Sequence, residues 1–262
     1  MFRCYVVVVD PGPMVTCAAH LVHSSQCERL DRHWRNLLMK HDLPVTNHGG
    51  WLGIARSKSL SEEDKGATLR EFAIAAGDAM GFVVAIHEAT WARVFRSRRR
   101  LFGSAEAFCY LRLLRVVLDR LESVQEASPI AVLFRRDVGS MDRAAKSAAK
   151  LFEMDTRACE RVESMAFVDS RRDCHFAMTD LLIHLALPRL TGVPAGTAKH
   201  PPAALRTASL LPPLPDQVVI ELWDEDFARR HIESLDWSMS SGVTGDGGRS
   251  RQKPVEAGLA HD

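Results

Sequence analysis

The chain has 262 residues, 34 basic against 33 acidic, and 46% of them apolar. That is an ordinary globular composition, enough for one sizeable core or for a domain with an extension. The near-cancellation of charge excludes a global field steering the molecule to nucleic acid or membrane, so any such role falls to local clusters. Six cysteines (Cys4, Cys17, Cys27, Cys109, Cys159 and Cys174) are scattered without Cys-x-x-Cys spacing. They read as reduced thiols of a cytoplasmic protein, and their spacing argues against zinc. The N-terminal apolar run is far shorter than the ~20 residues that span a bilayer and has no cleavage-like small-residue site, so no membrane partner is expected.

In chain order, residues 5–9 form a β-branched run suited to a strand buried on both faces. Pro11-Gly12-Pro13 forces a turn, and residues 14–22 read as a second strand paired with the first. Ser24 or Ser25 can cap a helix whose apolar face is Cys27, Leu30, Trp34, Leu37 and Leu38. Residues 42–59 lack a period and read as a loop, and a helix starts at Ser61. Further strands are predicted at 82–86, 130–134 and 162–168, with helices at 105–124, after Ser140 and at 175–187. Strands alternating with helices after an opening hairpin imply an α/β domain with a mixed sheet covered by helices.

That domain is expected over residues 1–188. Residues 189–215, rich in Pro, Ala, Gly and Thr, read as a linker. An acidic segment at 216–237 carries a short strand and a helix, and the polar, Gly- and Ser-rich tail at 238–262 reads as disordered.

Two aspartates stand out from this pattern. Asp10 sits at the exit of the first strand and Asp180 on the last helix, one turn before His184. A carboxylate beside a buried strand has lost solvation and needs a metal, a cation or a capping role. Asp10 fits either a metal site or the turn through Pro11, and Asp180 either a site or a pair with His184 or an arginine. Residues 91–100 hold Arg93, Arg96, Arg98, Arg99 and Arg100 interleaved with Trp91 and Phe95. Such a run binds phosphates and stacks bases, or is a solvated helix face.

The order of Asp10-Pro11-Gly12, Thr46-Asn47-His48-Gly49, Phe134-Arg135-Arg136-Asp137, Val168-Asp169-Ser170 and Phe176-Ala177-Met178-Thr179-Asp180-Leu181 resembles the motifs of the bacterial domain-of-unknown-function 3800 family, over about residues 3–188. The resemblance implies a ribonuclease H-like fold. It also implies a nuclease site in which Asp10, Asp137 and Asp180 hold Mg²⁺ or Mn²⁺ for phosphodiester hydrolysis, supported by His48 as acid or base. Glu88 is a further candidate ligand. Three departures stand out: Pro11 and Ala177 replace an acid and a glutamine, and Arg135 or Arg136 stands where the middle acid is expected, one or two residues ahead of Asp137. An arginine there supplies the positive charge of the ion and pairs with Asp10 or Asp180. The expected function is therefore a metal-dependent nuclease or, as the alternative, a non-catalytic domain that binds nucleic acid or a protein.

Overall fold

The valine run forms β1 (Phe2–Val9), paired antiparallel with β2 (Met14–His23) from Phe2↔His23 to Val9↔Thr16. The computed structural model describes residues 1–9, 13–43, 54, 60–77, 79–98, 102–136, 141–169, 173–191 and 217–232. β2 pairs antiparallel with β3 (Met80–His87), whereas β4 (Ile130–Arg135) lies parallel to β1 and β5 (Val162–Val168) parallel to β4. The edge strand β6 (Val218–Trp223) runs parallel to β3, completing a six-stranded mixed sheet of order β5-β4-β1-β2-β3-β6. Only β2 opposes the others, so the carboxyl ends of the remaining strands gather along one edge of the sheet. In open α/β sheets that edge is where ligands bind.

The two sheet faces separate by residue parity. Cys4 and Val6 point with Cys17, Ala19, Val84 and Phe134 into a core closed by α4 (Ala105–Ser123). α3 (Glu88–Val94) and the helix at 225–232 pack on the same face, and α5 (Met141–Met154) backs α4. The short α6 (Thr156–Arg161), capped by Asp155, leads into β5. On the opposite face Tyr5, Val7, Ala18 and Val83 meet α7 (Cys174–Thr191), and α1 (Ser24–Lys40) and α2 (Glu62–Ala76) pack over α7. Residues 174–186 are buried without interruption, as expected of a helix lying between a sheet and a second helical layer. Gly81 permits the close approach here: a Cβ would lie 3.0 Å from side-chain atoms of both Leu182 and Val218.

Several details differ from the sequence reading. α1 is capped by His23 rather than by Ser24 or Ser25, because β2 passes straight into the helix with His23 still extended and its Nδ1 accepting the Ser25 amide. α7 continues through Pro188 to Thr191. The core likewise does not stop at residue 188. Trp223 is 1% exposed and packs against Phe95, Phe108 and Phe227, so β6 and the helix after it complete the first face. Of the expected linker at 189–215, residues 189–191 belong to α7 and the rest lies outside the described residues, as does the expected tail at 238–262. Among the described residues no helix is long and apolar enough to cross a membrane.

Candidate functional site

α7 carries an unusual load of buried polar side chains for a helix inside a core: His175, Thr179, Asp180 and His184 are all buried. Their spacing places Thr179 one turn after His175 and His184 one turn after Asp180. Three of them, His175, Thr179 and Asp180, reach the sheet face that also presents Tyr5, His20 and Arg135.

The centre of the group is an ion pair. Arg135 ends β4 on the same face as Leu133, and its Nη1 lies 2.7 Å from both Oδ1 and Oδ2 of Asp180. The two side chains are 14% and 8% exposed, so the pair is largely withdrawn from water. Of the two arginines ahead of Asp137, Arg135 is the one brought to Asp180; the backbone amide of Arg136 instead extends the β4–β5 ladder to Val168.

Two further histidines are buried in the same helix–sheet layer, His20 on β2 and His184 on α7. His20, on β2, contacts Thr179 across 3.3 Å, and the Thr179 hydroxyl donates to the His175 carbonyl at 2.9 Å. Burial, reinforced by the nearby His175, pulls the His20 pKa down to about 3. Burial likewise pulls His184 down to about 4. Both rings are therefore neutral near pH 7.

The other expected ligands fall differently. Asp10, Asp137 and His48 lie outside the described residues, as do Arg99 and Arg100. Glu88 opens α3 and lines a cleft of about 480 Å³ with Trp91, Ser104 and Glu106, on the α4 side of the sheet and away from Asp180. Arg93 and Arg96 are exposed, but Arg93 is tied to Glu225 at 3.0 Å. The two aromatics between the arginines are not available to bases. Trp91 and Phe95 are 5% and 0% exposed and stack on each other in the core at 4.7 Å. Their inward orientation, with Arg93 and Arg96 exposed, removes the base-stacking role that the linear sequence suggests.

No protein-family model matches this chain, and no curated protein matches it.

A second polar group, not anticipated from the sequence, lies at the amino end of α7. Asp173 caps the helix by accepting the His175 amide at 2.9 Å, and the Cys174 thiol donates to Asp31 on α1 at 2.8 Å. The ring of His175 stacks on Tyr5 at 4.5 Å. Asp173, Cys174 and His175 are adjacent in sequence and could have been noticed there. Asp31 is 142 positions from Asp173 and joins them only through packing of α1 on α7.

Proposed function

We propose that this chain is a non-catalytic ribonuclease H-like domain, in which an arginine stands where an active relative holds a divalent ion. The mixed sheet opened by an antiparallel hairpin, with helices on both faces, supports that architecture. The observation that carries the functional reading is Arg135 Nη1 at 2.7 Å from both oxygens of Asp180. A doubly charged ion ~4 Å from a guanidinium meets a repulsion on the order of 8 kcal/mol at an effective dielectric of ~20. The arginine already supplies the positive charge that a buried carboxylate needs, so Asp180 has no electrostatic demand for Mg²⁺ or Mn²⁺.

What remains is binding. Arg96, exposed just after α3 beside the exposed Arg93, suits the phosphates of a nucleic acid, and burial of Trp91 and Phe95 restricts recognition to backbone charge. The test is a cleavage and binding assay on single-stranded, duplex and hybrid substrates. This reading expects salt-sensitive association without Mg²⁺- or Mn²⁺-dependent cleavage. Metal-dependent cleavage abolished by Asp180→Asn would overturn it.

A further inference from the structure

Asp173, Cys174 and His175 each offer one ligand atom, and these atoms lie within 4.8 Å of one another. Asp31 on α1 adjoins this cluster through Cys174, with Oδ1 2.8 Å from the Cys174 Sγ. Cys174 and His175 are 4% and 5% exposed. The Nδ1 atom of His175 is buried and has no hydrogen-bond partner among the described residues. A buried ring nitrogen in that state has given up water without replacement, which is rare unless something else meets it.

We propose that Asp31, Asp173, Cys174 and His175 form a four-ligand Zn²⁺ site that fastens the amino end of α7 to α1. The donor set is one thiolate, one imidazole and two carboxylates. It suits a borderline-soft tetrahedral ion and not Mg²⁺, which takes oxygen ligands and waters in an octahedron. Ligand bonds of ~2.0–2.3 Å in a tetrahedron put donor atoms roughly 3.3–3.8 Å apart, so binding draws Asp173, Cys174 and His175 in from their present spacing of up to 4.8 Å and turns Asp31 toward them. Each carboxylate keeps an oxygen for this purpose. Arg35 holds Oδ2 of Asp31 at 2.8 Å, and the His175 amide uses Oδ1 of Asp173. On binding, the Cys174 S–H bond breaks, its proton passes to solvent and the sulfur's electron pair forms the S–Zn bond, with no change of oxidation state. The site is separate from the Arg135–Asp180 pair, and its proposal stands whether or not that pair blocks catalysis.

Co²⁺ replaces Zn²⁺ in such sites and reports its ligands by absorption. The full-length protein, stripped with chelator, is titrated with Co²⁺ and then with competing Zn²⁺ or Mg²⁺. Expected are a sulfur-to-cobalt charge-transfer band and intense tetrahedral ligand-field bands that saturate at one equivalent, are bleached by Zn²⁺ and are untouched by Mg²⁺. Cys174→Ser removes the charge-transfer band, while Cys159→Ser, at the exposed thiol, retains it. Asp31→Asn, on the more accessible helix, keeps the band but weakens Co²⁺ affinity more than about tenfold with the circular dichroism spectrum unchanged. This last variant decides the matter if Cys174→Ser does not fold. No charge-transfer band in the unmodified protein, a band surviving Cys174→Ser or lost with Cys159→Ser, or unaltered affinity in Asp31→Asn would each overturn the proposal.

Discussion

Arg135, the last residue of β4, and Asp180, midway along α7, lock the sheet to the helix that covers it through one guanidinium nitrogen 2.7 Å from both carboxylate oxygens. Largely buried pairs of this kind are weak evidence for stability as a whole, because desolvation offsets the attraction. Breaking one is another matter, since the remaining charge stays in the core.

Arg135→Ala is accordingly predicted to destabilise the fold by ~3–5 kcal/mol, through the stranded Asp180 carboxylate. Adding Asp180→Leu should recover a large part of that loss, because no buried charge is left. Urea unfolding of the two single variants and the double variant checks this. Additive losses in the double variant would mean that the two residues do not act as a unit.

Acid should destabilise the protein in a defined window. His20 and His184 have folded pKa values depressed to about 3 and about 4, below the unfolded value of ~6.5, so the unfolded chain binds more protons between these limits. Their contribution is full above pH ~6.5 and is lost progressively as pH falls toward the folded values, with a limiting slope of ~1.4 kcal/mol per pH unit for each ring. Unfolding midpoints measured from pH 8 to pH 4 should fall below pH 6.5. His184→Gln, which cannot titrate, should flatten the fall.

Much of the architecture can be read in the chain because its cues are local. The valine run, the turn at Pro11-Gly12-Pro13 and the Ser61 cap require only near neighbours, and β1, β2 and α2 form where those cues lie. The site is less legible. Asp180 is recognisable as an acid on an apolar helix, and an arginine partner is foreseeable, but the choice of Arg135 over Arg136 follows from strand parity at the end of β4. Trp91 and Phe95 look like base-stacking groups only while the run is read linearly. The Asp31–Cys174 contact spans 143 positions and has no periodic or motif signal at all.

The acidic segment is predicted to be a stabilising part of the domain. Arg112 donates to both oxygens of Glu221, at 2.6 and 2.9 Å, and lies over the buried Trp223 ring. Trp223→Ala should lower stability by ~3–5 kcal/mol in urea unfolding, as large-to-small changes in a packed aromatic core do. Deleting residues 217–262 should also expose the β3 edge and produce concentration-dependent association in size-exclusion chromatography. A monomer with unchanged stability would contradict the role given to β6.

Binding through Arg96 and its exposed neighbour Arg93 should show the signature of phosphate contacts. Affinity for single-stranded nucleic acid should fall steeply with salt, and Arg96→Ala should reduce the magnitude of the log–log slope by ~0.7. Base composition should matter little, since Trp91 and Phe95 are inside the core. A salt-insensitive affinity, or one governed by base identity, would contradict recognition by charge alone.

The most direct test of the central claim is cleavage by the full-length protein of single-stranded, duplex and hybrid substrates, with and without Mg²⁺ or Mn²⁺, beside Asp180→Asn. With Arg135 holding Asp180, the unmodified protein is predicted to show no metal-dependent cleavage above that of Asp180→Asn. Metal-dependent cleavage by the unmodified protein that disappears in Asp180→Asn would contradict the account.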